Sequence, residues 1–446
     1  MSGAIAAGHP LTAAAGARVL ASGGNAVDAC IAAAFVAAVC EGPLTGPAGG
    51  GFLLVCRPGE EPVVLDCFFA APASPLGEME EVLVDFEGGG TQTFHVGEGS
   101  VAVPGLVPGL VEAHGRYATS EWAALVEPAL KLARTGRVSV DSQRAFLHRI
   151  LAGILLRTES GMRVYGNPEC VATEELVATL ERVRDVGPDA VVELVPEFAD
   201  DLTAYRVREL VPLESEILGL RVLATPPPSR GGRIVLDILE QLEAAGDPSL
   251  HDEARAVGLA YGATARGPLT GTTHISILDA SGMAAGLSST LGSGSGVFRD
   301  GTQLNNMLGE LDVIGAGEQR PGERLPSMMT PTLVLDAGSP RLVVGSAGSV
   351  RLAGAIAQVV WSALRGSRPV GESIAAPRLH VDGSILHLEG GWADDIAVSL
   401  GDAWELVRWD GLNLFFGGVQ AVARAVDGTL SAAGDPRRGG AGVVVP

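Results

Sequence analysis

The run Gly271-Thr272-Thr273-His274-Ile275-Ser276 sets a glycine directly before two threonines at the head of an alternating, strand-like segment. Inside a chain, a threonine hydroxyl is a weak nucleophile, because nothing beside it need accept its proton. Cutting the peptide bond after Gly271 would give Thr272 an α-amino group with a pKa of about 8, which can serve as base for its own hydroxyl. The spacing therefore predicts self-cleavage between Gly271 and Thr272, followed by catalysis through Thr272. In maturation the hydroxyl attacks the Gly271 carbonyl and yields an ester that water opens. In turnover it attacks a substrate carbonyl and forms an acyl-enzyme. Taken alone, a β-branched residue in a strand is as well explained by packing.

The flanking blocks decide between the two. They are Gly8-His9-Pro10-Leu11, Gly23-Gly24-Asn25-Ala26-Val27-Asp28-Ala29, Gly49-Gly50-Gly51-Phe52 and Pro226-Pro227-Pro228-Ser229. After the Thr272 run and Thr290 come Leu304-Asn305-Asn306, Ser327-Met328-Met329-Thr330-Pro331-Thr332 and Gly345-Ser346-Ala347-Gly348-Ser349. In this order, over nearly the whole chain, they resemble the gamma-glutamyltranspeptidases, a family of self-processing N-terminal-nucleophile hydrolases. The resemblance implies an α+β fold, a four-layer αββα sandwich of two antiparallel sheets between helical layers. It also implies a cut into a helix-rich large subunit, residues 1–271, and a small subunit, residues 272–446, held together as a heterodimer.

Site roles follow from the same resemblance. Thr290 occupies the second-threonine position, with its hydroxyl bonding back to Thr272. Gly348 and Ser349, where the family has two glycines, offer backbone N–H groups to the oxyanion of a tetrahedral intermediate. Asn305, Glu310, Ser327 and Met328 fall at substrate-binding positions, Glu310 replacing an amine-binding aspartate and Met328 the second of two serines. Phe68 stands where the family has an arginine that clamps the substrate carboxylate, and an apolar ring cannot do that work. Arg299, Arg324 and Arg351 are the other cations that could take over the clamp.

The expected function is therefore a hydrolase or acyltransferase acting on a gamma-glutamyl-type or related amide of a small molecule. Water or an amine is the acceptor, with hydrolysis favoured. The short connection between Glu310 and Ser327 lacks the long tyrosine-bearing lid of many relatives, so an open mouth suited to larger acyl groups is expected. One alternative is hydrolytic C–C cleavage during alkylproline formation, as associated with transpeptidase-like proteins of actinobacterial antibiotic clusters. Another is a catalytically silent scaffold. The histidines show no metal-ligand spacing, and His274 suits a packed strand, so no metal and no cofactor is implied.

Several elements must position these groups. A hairpin of two alternating arms, 271–279 and 283–290, turns at Ala280-Ser281-Gly282. Helices are predicted over 13–21 and 26–39, the second capped by Asn25 and apolar all round, hence buried. Strands follow over 52–57 and 62–67, then an acidic solvated excursion over 73–95. Helices over 108–117 and 121–134 come next, the latter capped by Ser120 with Pro128 inside. The chain stays mostly helical to 242, with a helix over 234–244. Strands over 332–336 and 341–345 precede a helix over 350–364 opened by Gly348-Ser349. His380, Asp382 and His387 flank a surface hairpin. Nothing divides the 446 residues into independent units.

Composition narrows the partners. A net charge of −21 argues against nucleic acid and against an anionic membrane surface. The longest apolar run, residues 29–40, is too short to span a bilayer. Five cysteines without a CxxC pair suggest buried thiols in a reducing compartment, and with no signal-peptide pattern the expected location is cytoplasmic.

Overall fold

The computed structural model describes residues 3–85, 91–262, 271–315, 317, 319–366, 368–393, 400 and 403–446. The Gly88-Gly89-Gly90 run and the stretch just before Gly271 lie outside them. Thirteen strands make two large sheets: β1 (Gly3–Ala7), β2 (Gly50–Cys56), β3 (Val63–Cys67), β4 (Arg208–Leu210), β5 (Leu213–Ile217), β6 (Leu220–Ala224), β7 (Gly271–Leu278), β8 (Ala284–Gly292), β9 (Thr332–Asp336), β10 (Ser339–Ala347), β11 (Gly418–Arg424), β12 (Leu430–Gly434) and β13 (Ala441–Val445). The first sheet runs β13-β1-β7-β8-β2-β3-β4 and the second β12-β11-β10-β9-β6-β5. All neighbouring pairs are antiparallel.

Period-2 alternation sorts side chains between two cores. Ile5, Ala7, Leu53, Val55, Ile275 and Ile277 face helices α1 (Pro10–Ala21) and α2 (Ala26–Cys40), with α3 (Leu106–Tyr117) and α4 (Trp122–Ala133) around them. Ala4, Ala6, Phe52 and Leu54 face the second sheet. The far side of that sheet is covered by α5 (Gly231–Ala245) and α7 (Leu352–Arg365), with α6 (Leu250–Tyr261) packed against α5. The result is the expected αββα sandwich, with β7 and β8 in the middle of it.

Helix α2 is buried along its whole length, as its composition requires. Asn25 caps it in a reciprocal box with Asp28. Helix α1 starts earlier than predicted, at Pro10, because the His9 ring accepts from the Leu11 N–H and proline suits the first helical position. Helix α4 keeps Pro128 inside, but Glu121 rather than Ser120 precedes it; the Ser120 N–H donates instead to Asp28. The acidic excursion holds an antiparallel hairpin, Glu80–Asp85 with Thr91–Val96. The hairpin around Asp382 is not a surface feature: His380 is buried, and a third strand, Glu405–Arg408, pairs alongside.

Candidate active site

Pairing of β7 with β8 is regular from Thr273↔Ser289 to Leu278↔Ala284, then shifts so that Gly271 faces Gly292. Two residues, Thr290 and Leu291, oppose the single Thr272 across this bulge. Bulges bend a strand and re-aim a side chain. Here the bulge brings the Thr290 hydroxyl to the Gly271 carbonyl, to which it donates a hydrogen bond. The Gly292 N–H donates into the same hydroxyl oxygen at 2.7 Å. Thr290 thus polarises the Gly271 carbonyl, where the sequence had suggested a bond to Thr272 itself. A side chain at Gly271 is excluded by close backbone: its Cβ would lie 2.5 Å from the Gly292 oxygen and 2.9 Å from that of Pro43.

Phe68, Thr272, Thr290, Glu310, Ser327 and Met328 line one cavity of about 30 Å³, closed further by Met307, Val313, Met329 and Leu352. That volume is about one water's share of the liquid, whereas small-molecule pockets need about 300 Å³ or more. The expected open mouth is therefore not found: Thr272 is only 2% exposed, and Phe68, Glu310 and Ser327 are equally buried. Met307, Val313, Met328, Met329 and Leu352 supply the apolar wall over the site. Methionines 307, 328 and 329 are the adaptable part of that wall.

The Phe68 ring stacks on Phe52 (centroids 5.3 Å apart, planes at 15°) and meets Phe69 edge-on at 5.0 Å. Its backbone is fixed as well. The Phe68 N–H donates to Asp66 at 2.9 Å, and the Tyr205 hydroxyl donates to its carbonyl at 2.6 Å. None of the three alternative cations lines the cavity. Arg299 is paired with Glu197. Arg324 lies 3.4 Å from Asp66 and over the Tyr205 ring. Arg351 lies over the Phe415 ring. The carboxylate clamp has no substitute among the described residues of the wall.

Glu310 is the one acidic group in the cavity lining among the described residues. Its Oε1 accepts from the Ser293 N–H at 3.1 Å and the Ser293 hydroxyl at 3.0 Å, while Oε2 is buried without a partner. Burial pushes its carboxyl up to about 7, against the opposing pull of the Ser293 and Asn306 hydrogen bonds. A positive charge brought beside Oε2 would favour the ionised form. Ser327 accepts from the Met329 N–H at 3.1 Å and keeps its own hydroxyl proton for the cavity.

Two expected site residues, Asn305 and Gly348, do not line this cavity. The Asn305 amide donates to the Ala48 and Ala102 carbonyls, and its oxygen accepts from the Ala102 and Met307 N–H groups. All its hydrogen-bonding capacity goes into tying loops together. Gly348 is outside the cavity lining, at the junction of β10 with a 3-10 turn, Ser349–Arg351, that leads into α7. At Gly348, φ is +129° and a Cβ would lie 2.8 Å from Gly417, so glycine is required there.

His274 is a packed strand residue, as expected. Ser276 spends its proton on the Gln420 carbonyl, so it accepts from His274 Nε2, which leaves Nδ1 to accept from Ser288. Burial lowers its pKa to about 3, so it stays neutral. Among the described residues no cluster of histidine, cysteine and acidic groups could hold a metal ion, and no helix is long and apolar enough to cross a membrane. Sequence reasoning missed Ser293 and Asn306, which hold Glu310 and its loop, and Glu41, which bonds Thr273 behind the nucleophile. Asn306 stood in a noted block beside Asn305; Glu41 gave no signal beyond a lone acid ending an apolar helix.

An αββα sandwich with a threonine at the head of a central strand, opening on a small cavity, defines an N-terminal-nucleophile hydrolase. The family model described as gamma-glutamyltranspeptidase matches residues 12–193 and 249–445, and the chain belongs to that family. The acylase ACY 1 proenzyme of Pseudomonas sp. (strain SE83) is 27% identical, over 99% of this chain and 93% of its own length. The glutathione hydrolase proenzyme of Pseudomonas aeruginosa is 29% identical, over 99% and 94%. Among solved structures, the cephalosporin acylase of Bacillus halodurans superposes with a TM-score of 0.83 at 20% identity, covering 99% of this chain and 95% of that one. The chain is thus an enzyme of the transpeptidase and acylase type.

Proposed function

We propose that the chain cuts itself between Gly271 and Thr272 and then, as subunits 1–271 and 272–446, hydrolyses a small-molecule amide through a Thr272 acyl-enzyme. The observation that carries this is the Thr290 hydroxyl donating to the Gly271 carbonyl beside the buried Thr272. A donor preset on a carbonyl stabilises the oxyanion formed when that carbon is attacked. After cleavage the new amine takes the Thr272 proton. Five free thiols, four of them buried, support a reducing, cytoplasmic setting.

The acyl group is a gamma-glutamyl-type chain or a relative of it in which the α-carboxylate is absent or replaced by apolar surface. Glu310 would hold an amine, while Phe68 and Met328 leave no cation or second hydroxyl for a carboxylate. The same apolar wall favours, as second choice, an activated ketone cleaved hydrolytically at a C–C bond, with the nucleophile unchanged.

Denaturing electrophoresis with N-terminal sequencing tests the first half: wild type is expected as two fragments, one beginning at Thr272, and Thr272→Ala as one intact, inactive chain. A 4-aminobutyryl anilide compared with a gamma-glutamyl anilide tests the second. The former, which lacks only the α-carboxylate, is expected to turn over faster, and Phe68→Arg to reverse the order. Brisk gamma-glutamyl release unaffected by Phe68→Arg contradicts the pocket argument, and release of an acyl-ketone substrate alone favours the second choice.

A further inference from the structure

Glu41 lies just past the end of α2, only 1% exposed, and no catalytic step above uses it. The position is physically adverse. Carbonyls at a helix C-terminus carry partial negative charge, so a carboxylate buried there is repelled as well as desolvated. Its partners come from three other elements. Oε1 accepts from the Thr12 hydroxyl of α1 at 2.6 Å, and Oε2 from the Thr273 hydroxyl of β7 at 2.6 Å. The Arg144 guanidinium, on the helix Ser142–Ile150, lies 4.0 Å from Oε2 and donates to the Gly8 carbonyl at 2.7 Å. Gly8 completes the arrangement: a Cβ there would sit 2.5 Å from both Glu41 Oε2 and the Thr273 hydroxyl. The Gly8-His9-Pro10 block, which the catalytic roles leave unused, thereby acquires a purpose.

Thr273 follows the nucleophile, and by alternation its side chain points to the opposite face of the sheet. Main-chain support is thin at this point. Pairing with β1 stops at Ala7↔Ile275, and the ladder with β8 is interrupted by the bulge between Gly271 and Thr273. Severing the bond after Gly271 would remove the covalent anchor as well, and free strand ends fray.

We propose that Glu41 is a positioning residue: with Thr12 and Arg144 it clamps Thr273, and so keeps the Thr272 hydroxyl and its new amine aimed into the cavity after the chain is cut. This rests on the proposed cleavage for its purpose, but the clamp can be tested separately. Hydrogen exchange, read by mass spectrometry on peptides covering residues 272–278 of the full protein, reports on it, with residues 352–365 as internal reference.

Thr273→Val, nearly isosteric but lacking the hydroxyl, is expected to speed exchange at the head of β7 about tenfold and leave the reference unchanged. Thr273→Ser should restore protection. Thr12→Val changes α1 and not β7, and is expected to loosen the same peptide because it releases the other oxygen of Glu41. Wild-type protection in the Thr12 variant means Thr273 only packs locally, and overturns the proposal. Electrophoresis of the same samples reads cleavage independently. An uncut wild type sinks the maturation scheme, while the exchange comparison still decides whether Glu41 holds the head of β7.

Discussion

A hydroxyl that already receives a backbone N–H has its own proton free to give, and at Thr290 that proton goes to the carbonyl of the proposed cleavage bond. Losing one preset oxyanion donor costs on the order of 10²-fold in rate. Thr290→Val is therefore expected to slow self-cleavage by about that factor in a cell-free synthesis chase, and Thr290→Ser to leave most of it. Glu310 brings a pH signature. Its folded carboxyl titrates at about 7, above the ordinary value of 4.5. Between those values the unfolded chain has lost this proton and the folded one keeps it, so stability falls as pH rises through the window, by about 3 kcal/mol in all. Glu310→Gln should flatten that part of the melting-temperature profile. Affinity for an amine-bearing acyl group should rise with pH through 7 in wild type and not in the variant. Thr272 could be singled out from its own run, whereas Thr290 and Glu310 were placed by the resemblance to the family; the structure brings all three to one cavity. At Asn305, residue type does not reveal that four backbone groups take the hydrogen bonds of its amide. Glu41 went unnoticed because its partners, Thr12, Arg144 and Thr273, are far apart in the chain.

Elements rather than single side chains set the register of the site. Gly292 closes the bulge with φ at +67°, and a Cβ there would lie 2.2 Å from Asn306 Oδ1 and 3.0 Å from Glu310 Oε1. Gly292→Ala thus strains the backbone by about 1–2 kcal/mol and pushes on the loop that holds the buried acid. It is expected to lower the melting temperature by several degrees and also to slow self-cleavage, whereas a substitution that only strains a turn would do the first alone. The hairpin of β7 and β8 was legible because both arms alternate and the turn carries Asp279 and Gly282. The hairpin Glu80–Asp85 with Thr91–Val96 was not, because most of its side chains face water and acidic residues hide the period. The start of α1 was placed late because a histidine cap is an uncommon signal. The bulge itself left no trace, since it depends on which residues of β8 face β7.

At the scale of the molecule, the proposed cut falls between fragments that cannot part without unfolding. Strands β7 and β8 of residues 272–446 sit between β1 and β2 of residues 1–271, and β13 closes the edge beside β1. The second sheet is likewise shared, its β9 pairing with β6. Both cores draw apolar side chains from both fragments, so neither fragment has a core of its own. Sequence could suggest layers from alternating and all-round apolar patterns, but strand order rests on pairings between distant residues that no local pattern encodes. Separation of the cleaved chains should therefore coincide with global unfolding. In urea, the midpoint for loss of co-elution on size exclusion is expected to equal the midpoint for loss of helical signal. A lower dissociation midpoint, with folded fragments surviving beyond it, would mean that the two subunits meet at a surface rather than share one interior.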